Sequence, residues 1–178
     1  MGIPPLPTAP SVASTVATVL RVNVLGFAIP ETAFAAVGVI VILVLIGLSA
    51  FFSSSEIAMF SLASHRLDTL IEDGEPGAEQ VGQLKDDPHR LLVTILVGNN
   101  LVNIAMTSIA TGLLALYLSQ GAAVAISTFG ITVLVLLFGE SAPKSYAVEN
   151  TESWALSIAR PLKLAEYVLL PLIVVFDY

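Results

Sequence analysis

The sequence predicts an all-α membrane protein with three transmembrane helices, a cytoplasmic pair of short helices and a kinked juxtamembrane belt helix. One reason is composition, because 56% of the 178 residues are apolar and only 12% are charged, whereas a soluble domain carries about 25% charged residues. A second reason is that the apolar residues form three long windows without a charged side chain. About 20 apolar residues in a helix cross roughly 30 Å of hydrocarbon. We therefore expect a lipid bilayer as a partner of the chain.

Composition and motif content exclude several classes of protein. The 7 basic and 14 acidic residues give a net charge of −7 without a Lys/Arg cluster, so no nucleic acid is expected as a partner. The absence of cysteine excludes disulfides and thiolate metal sites. The chain has no HExxH zinc motif, nucleophile elbow, Walker loop or Gly-rich dinucleotide fingerprint. We therefore expect that the protein is not an enzyme.

Residues 1–30 differ in composition from the rest of the chain. They contain prolines at positions 4, 5, 7, 10 and 30, and Arg21 interrupts their mildly hydrophobic part. We predict that they form an extracellular lead-in to one membrane domain over residues 31–178. Within that domain, the predicted transmembrane helices are the three charge-free windows, residues 33–52, 91–118 and 121–139.

A charged segment, residues 64–90, separates the first two windows and predicts two short amphipathic helices. Leu67, Leu70 and Ile71 form an apolar stripe on the first of them, and Gly74 is a signal for its end. Of the 14 acidic residues, 7 lie in this segment. That charge predicts either a solvated surface or an acidic patch that attracts cations or docks another domain.

A fourth apolar stretch, residues 154–176, predicts a kinked belt helix that lies partly in the membrane interface. It contains three charged residues and two prolines, namely Arg160, Lys163, Glu166, Pro161 and Pro171. Each charge would cost about 2.5–3.5 kcal/mol at the bilayer centre, and proline interrupts helical hydrogen bonding. Because the charges recur every third residue, we expect them to share one water-facing side of the helix.

The basic residues indicate how the spans are oriented. Six of the seven lie on one side of the three predicted spans: Arg66, Lys85, Arg90, Lys144, Arg160 and Lys163. By the positive-inside rule, that side is cytoplasmic. We therefore expect a multi-pass protein of the cell membrane, with its N-terminus outside and its C-terminus in the cytoplasm.

Three polar clusters lie in or at the ends of the predicted spans. They are Ser53-Ser54-Ser55-Glu56 after the first span, Gly98-Asn99-Asn100-Leu101-Val102-Asn103 in the second, and Gly139-Glu140-Ser141-Ala142-Pro143-Lys144 at the end of the third. Polar groups within a span are functional candidates, because hydrocarbon offers them no hydrogen-bond partner. Asn99 and Asn103 lie four residues apart and therefore face the same way. By topology, all three clusters fall in the cytoplasmic half of the membrane, where we expect their oxygens to converge.

Hydroxyl, amide and carboxylate oxygens together are typical of a site for hard cations. Mg²⁺ and Na⁺ suit such oxygens, whereas softer metals prefer the cysteine or histidine that the spans lack. Pro143 has no N–H, so it leaves the carbonyl of Gly139 without its helical donor, near a helix C-terminus whose dipole favours a cation. Interrupted helices with unpaired carbonyls form ion sites in secondary transporters.

Structural roles for the same residues stay open at this point. Asn100 and Ser55 also suit hydrogen bonds between membrane helices, and Glu56 and Glu140 suit the wet membrane interface. Lys144 lies four residues after Glu140, where an ion pair could neutralise that carboxylate.

The three motifs, in this order, resemble the DUF21 transmembrane domain of the CNNM/CorC magnesium transporters. The likeness runs from about residue 33 to the C-terminus and includes the helical pair that begins Ser64-His65-Arg66-Leu67. It implies a homodimer whose subunits each have three transmembrane helices and a belt helix. It also implies that a full-length chain continues into cytosolic CBS modules that bind ATP and Mg²⁺. These modules are absent from the 178 residues.

The resemblance further implies Mg²⁺ export driven by Na⁺ entry, and it identifies candidate ligands. By motif, these are Ser53, Asn99, Asn103 and Glu140, with weaker candidates at Ser54, Gly98, Asn100 and the Gly139 carbonyl. Glu140 is the one secure anionic ligand among them, and Mg²⁺ gives up water reluctantly, so we expect weak binding. Two alternatives stay open: a membrane-anchored regulatory or scaffold module without transport, and a Na⁺ or H⁺ carrier that uses the same oxygens.

Overall fold

The computed structural model describes residues 21–24 and 27–176, with side chains described at residue 30 and over residues 32–173. Residues 1–20 of the predicted lead-in lie outside the described residues. In the rest of the lead-in, β1 Arg21–Val24 pairs with β2 Phe27–Pro30 as an antiparallel strand, and Arg21 pairs with Pro30. The all-α prediction did not include these two strands, whose valine and isoleucine residues favour extended backbone.

After residue 30 the described chain is helical, which confirms the predicted fold class. The elements are α1 Glu31–Ser61, α2 Ser64–Glu72, α3 Ala78–Lys85, α4 Pro88–Leu114, α5 Gln120–Leu134, a π-helical segment Val135–Ser141, α6 Ala142–Glu149 and α7 Thr151–Phe176. The chain divides into two compact units, Met1–Ile40 and Val41–Tyr178. Every candidate site residue lies in the second unit.

Three helical runs are long and apolar enough to cross a membrane, which confirms the three predicted spans. They are Thr32–Ser61, Pro88–Leu114 and the continuous run Gln120–Glu149. The first and third runs extend well past the charge-free windows, because a helix continues into the interface where charged side chains are wetted. Large apolar side chains such as Leu43, Ile104 and Phe129 are 63%, 65% and 74% exposed. Apolar residues on the outer side of a helix are favourable when lipid surrounds it.

α2 and α3 form the predicted helical pair and pack against each other, and α3 also packs against α4 and α7. Leu67 and Leu70 are buried as expected, whereas Ile71 is exposed. Gly74 follows the end of α2 with a φ of +72°, and Gly77 precedes α3 with a φ of +97°. A Cβ at Gly77 would lie 2.5 Å from a backbone oxygen of α7. The turn can approach α7 this closely because residue 77 has no side chain.

α7 is the predicted belt helix, and it begins at Thr151 rather than residue 154. It is a single helix that contains both Pro161 and Pro171, and it packs against α3 and α4. The predicted water-facing side is only partly correct. Arg160 is exposed, but Glu166 is buried because it forms an ion pair with Arg90 of α4.

Candidate cation site

A fully buried serine, Ser49 of α1, lies at the centre of the candidate site. Its hydroxyl is within donor distance of two amide oxygens of α4, 2.9 Å from Asn99 Oδ1 and 3.1 Å from Asn103 Oδ1. The two asparagines do face the same way, as their spacing predicted. Three oxygens from two membrane spans therefore meet in one place.

The third span reaches the same serine through Gly139. Gly139 is buried in the π-helical segment, and a Cβ at this position would lie 2.8 Å from Ser49 Oγ and 3.2 Å from Ser49 Cβ. A side chain at residue 139 would therefore push the spans apart. The glycine brings the backbone of the third span against the two-helix cluster of oxygens.

The π-helical segment changes the hydrogen bonding of the carbonyls next to this contact. The N–H of Ala142 donates to Leu137, five residues back, instead of to Phe138. Pro143, in the first turn of α6, has no N–H for Gly139. Two consecutive carbonyls, those of Phe138 and Gly139, therefore lose their ordinary α-helical donors. Single π turns inside membrane or soluble helices are frequent at functional sites.

Ser53 lies one helical turn after Ser49 and is also buried. Its Oγ has no hydrogen-bond partner among the described residues. Leaving a buried hydroxyl unpaired costs about 1–3 kcal/mol, and such groups in native proteins call for an explanation. An oxygen held without a partner beside Ser49 is available to a ligand.

Glu140 follows Gly139 directly, and its carboxylate is not neutralised by Lys144. Lys144 Nζ instead lies 2.9 Å from Glu56 Oε2, so α6 pairs with α1. The Glu140 side chain is half-buried and makes no hydrogen bond or ion pair with a described residue. Its approach to Asn99 and Asn103 stays a prediction.

The weaker candidates lie in different surroundings. The Ser54 hydroxyl donates to its own helix, to the carbonyl of Ala50 at 2.7 Å. Asn100 is exposed and lines an apolar groove on the outside of α4. Gly98 is buried, and a Cβ there would overlap the ring of Phe52. Gly98 therefore permits the close contact of α1 with α4, one residue before Asn99.

Sequence reasoning missed Ser49, although a local signal was present. Ser49 precedes Ser53 by four residues and therefore lies on the same side of α1. A lone serine in an apolar window also suits hydrogen bonding to its own helix, so the spacing alone did not separate the two roles.

Paired charges surround the ends of the spans outside the site. Arg66 contacts Glu152 with both Nε and Nη2 at 2.8 Å, which lowers the pKa of Glu152 and raises the pKa of Arg66. Lys85 donates to the carbonyl of Leu62, just after α1, and burial lowers the pKa of Lys85. Together with the pair between α4 and α7, these contacts tie α2, α3 and α7 around the end of α1.

Comparison with known proteins gives a family match over most of the chain. The family model described as CNNM, Cyclin M transmembrane N-terminal domain, matches residues 40–178. The UPF0053 protein of Haemophilus influenzae is 41% identical over 113 residues, which cover 64% of this chain and 27% of that protein. The UPF0053 inner membrane protein YfjD of Escherichia coli is 36% identical over 126 residues, which cover 71% of this chain and 29% of that protein.

A further relative carries a name that describes a function. The polyamine export protein of Haemophilus influenzae is 29% identical over 151 residues, which cover 78% of this chain and 35% of that protein. The chain thus spans between 27% and 35% of the lengths of these three relatives.

Proposed function

The chain belongs to the CNNM family of transmembrane domains, and on this premise we propose that it exports Mg²⁺ in exchange for Na⁺. The substrate path runs through the site around Ser49, Asn99 and Asn103. One observation carries the proposal: two amide oxygens from partly buried asparagines converge on the fully buried hydroxyl of Ser49 between spans. Polar side chains inside membrane spans are candidates for an ion pathway, because hydrocarbon offers them no hydrogen-bond partner.

The separations between these oxygens support a small divalent cation as the substrate. In an octahedral Mg²⁺ site with metal–oxygen distances of about 2.1 Å, neighbouring ligand oxygens lie about 3.0 Å apart. Ser49 Oγ lies 2.9 Å and 3.1 Å from the two asparagine oxygens. Ser49 Oγ therefore already has the spacing of a neighbouring ligand to each asparagine oxygen, which reduces the reorganisation that binding requires.

Ser49 acts as a positioning residue as well as a ligand in this proposal. A serine hydroxyl has one proton, and the two asparagine oxygens share it. When a cation binds between the oxygens, the Ser49 hydroxyl keeps its proton and rotates, so that a lone pair faces the ion. Ser53, the Gly139 carbonyl and Glu140 are the further ligands that we propose.

The charge balance favours weak binding, which suits export. Glu56 is neutralised by Lys144, so Glu140, which follows Gly139 in the chain and has no described partner, supplies the one carboxylate that we propose for the site. No cluster of three acidic, histidine or cysteine groups is found among the described residues. A divalent ion that keeps part of its water can be held by so few charges. An ion held more tightly would leave slowly.

The remaining parts of the proposal concern topology and assembly. From the positive-inside rule, we place α2, α3 and α7 on the cytoplasmic side and the N-terminus outside. The resemblance to CNNM/CorC proteins further supports a homodimer and cytosolic CBS modules in the full-length chain. Both can be checked by cysteine labelling in intact cells and by the mass of the protein in nanodiscs.

Flux into liposomes that contain a Mg²⁺ indicator tests the proposed site. We expect Asn103→Ala and Ser49→Ala each to lower Mg²⁺ flux by about tenfold or more, because each removes a ligand to a charged group. Asn100→Ala is the matched control, since Asn100 lies on the same helix but lines an outer groove. We expect its flux to stay close to that of the unsubstituted chain.

The same assay separates the alternatives. Equal Mg²⁺ flux in Asn100→Ala and Asn103→Ala would contradict the assignment of the site to Asn103 and its neighbours. No Mg²⁺ flux from a correctly folded chain, with or without a Na⁺ gradient, would favour the regulatory or scaffold module. Na⁺ or H⁺ flux without Mg²⁺ flux would favour the carrier of monovalent ions.

A second candidate substrate, a polyamine, is supported by the name of one relative. Acceptor oxygens such as those of Asn99 and Asn103 suit the N–H donors of an organic ammonium group as well as a metal ion. Spermidine added in the flux assay distinguishes the two. If Mg²⁺ is the substrate, spermidine should neither cross nor compete, whereas spermidine flux that Asn103→Ala abolishes would replace Mg²⁺ as the proposed cargo.

A further inference from the structure

Two cations on α7 differ from the other basic side chains of the described chain. Four basic side chains are each held by the protein, namely Arg66 by Glu152, Lys85 by the Leu62 carbonyl, Arg90 by Glu166 and Lys144 by Glu56. Arg160 and Lys163 make no hydrogen bond or ion pair with any described residue. Glu75 and Glu79 line a cleft with Arg160 but form no ion pair with it.

Arg160, which is exposed, and Lys163, which is half-buried, begin a stripe along α7. It continues with Leu164, Tyr167 and Val168, which are 64%, 62% and 69% exposed, and the spacing places all five residues on one side of the helix. From residue 160 to residue 168, a rise of about 12 Å along the helix, the stripe changes from basic to aromatic and aliphatic. A phospholipid presents matching groups in the same order, from phosphate through the interface to the acyl chain.

An apolar groove of about 370 Å³ lies beside this stripe, between α1, α4 and α7. Its walls include Phe51 of α1, Leu101 of α4 and Val168 of the stripe, and all of its described lining residues are apolar. Pro161 also lines the groove, so the groove reaches the residue next to Arg160. An acyl chain in the groove would therefore have its headgroup beside the two unpaired cations.

We propose that an anionic phospholipid binds at this place, with its phosphate between Arg160 and Lys163 and an acyl chain in the groove. The lipid supplies the counter-charge that the protein does not supply, and it covers apolar side chains that the protein leaves exposed. A second copy of the chain packed stripe against stripe would instead bring four unpaired cations together. The proposal does not depend on transport.

Fluorescence quenching by brominated lipids tests the proposal directly. The chain has one tryptophan, Trp154, so the double variant Trp154→Phe/Tyr167→Trp moves the single fluorophore onto the stripe. The variant is placed in mixed vesicles in which either phosphatidylglycerol or phosphatidylcholine carries brominated acyl chains at equal mole fraction. We expect quenching by brominated phosphatidylglycerol to be stronger by about threefold or more, because basic residues near an anionic lipid attract it.

Two charge variants of the reporter locate the effect. The preference should disappear in Arg160→Gln/Lys163→Gln and should weaken at high salt. Arg66→Gln/Lys144→Gln removes the same number of positive charges from residues that already have protein partners, so we expect it to keep the preference.

Three outcomes would overturn the proposal. They are equal quenching by the two brominated lipids, a preference that persists in Arg160→Gln/Lys163→Gln, and quenching by neither lipid, which would mean that a second copy covers the stripe. If the reporter does not fold, native mass spectrometry of the unsubstituted chain from the same mixed membrane replaces it. Retained phosphatidylglycerol that Arg160→Gln/Lys163→Gln loses supports the site, and its absence overturns the site.

Discussion

The cation site differs from the helical platform formed by α2, α3 and α7 in how its polar groups are paired. On the platform and at its contact with α4, Arg66, Lys85 and Arg90 each contact a protein group, although Arg160 and Lys163 of α7 do not. In the site, two asparagine oxygens share one hydroxyl, and Ser53 has no described partner. Paired charges hold the platform helices to their neighbours, whereas a shortage of donors in the site leaves oxygens available to a cation.

This difference predicts how substitutions divide. Changes on the platform should alter stability and leave transport per folded molecule almost unchanged. Changes in the site should lower transport with a small or even opposite effect on stability. The four predictions below test that division, from the largest expected effect to the smallest.

Arg90→Met should give the largest loss of stability. It leaves Glu166, which is buried against α4, without its counter-charge. Loss of one partner of a buried pair costs about 3–5 kcal/mol, and we expect about 2–3 kcal/mol here because the Arg90 side chain is 34% exposed. Thermal unfolding in detergent measures the change. Arg160→Met, which removes an arginine without a described partner, should cost less than about 0.5 kcal/mol.

The double variant Arg90→Met/Glu166→Gln provides a check on the cause. It removes the buried charge together with its partner, so it should recover most of the lost stability. An equal loss in the single and double variants would show that Arg90 acts through packing and not through charge.

Gly139→Ala should affect both stability and transport, because it lies at the contact between spans. Its Cβ would meet Ser49 Oγ at 2.8 Å, and overpacking of this kind costs about 1–3 kcal/mol. We expect Mg²⁺ flux to fall by about tenfold or more, since movement of Ser49 disturbs both asparagine oxygens. The variant Ser49→Gly/Gly139→Ala should regain stability but not flux. Normal flux in Gly139→Ala would mean that the spans do not meet tightly at the site.

Ser53→Ala should separate stability from function. The substitution removes a buried hydroxyl without a described partner, so stability should stay the same or rise by up to about 1 kcal/mol. Flux should fall, because an oxygen ligand is lost. Ser55→Ala is the matched control on the same helix, since that hydroxyl donates to the Phe51 carbonyl at 2.6 Å and its loss should leave flux unchanged. Loss of stability in Ser53→Ala with normal flux would assign Ser53 to structure.

The ion pair of Arg66 with Glu152 should give the smallest effect, and one that depends on pH. The hydrogen bond and charge of Arg66 lower the pKa of Glu152. A carboxylate with a lowered folded-state pKa adds stability above its ordinary pKa of about 4.3, and this contribution disappears as the pH falls through the lower value. Both side chains are exposed to water, so the change should be slight and should weaken with salt. Arg66→Gln should remove this part of the pH dependence of thermal unfolding between neutral and acidic pH.

Several features could be predicted because they depend on neighbouring residues only. Charge-free windows predicted the three spans, since the cost of moving a charge into hydrocarbon is a property of the segment itself. The spacing of Asn99 and Asn103 predicted that they face the same way, because helical periodicity is local. The three ordered motifs also predicted the family that the comparison confirms.

Other features depend on residues far apart in the chain. The spacing of Lys144 from Glu140 suggested an ion pair, but Lys144 pairs with Glu56, 88 positions away in the sequence. Glu166 was expected in water, yet Arg90 holds it in a buried position. The π-helical segment before Pro143 was not predicted either, because a change of hydrogen-bond register leaves no mark in hydrophobic periodicity.

The sequence by itself determined that this chain has three spans, which polar side chains lie within them and which family they belong to. The tertiary structure alone decided which of those side chains share a site, and it placed Ser49 between Asn99 and Asn103. The physical reason is that hydrophobicity and periodicity act along one helix. The meeting of three helices depends instead on close contacts such as Gly139 with Ser49 and Gly98 with Phe52, which follow from the shapes of whole surfaces.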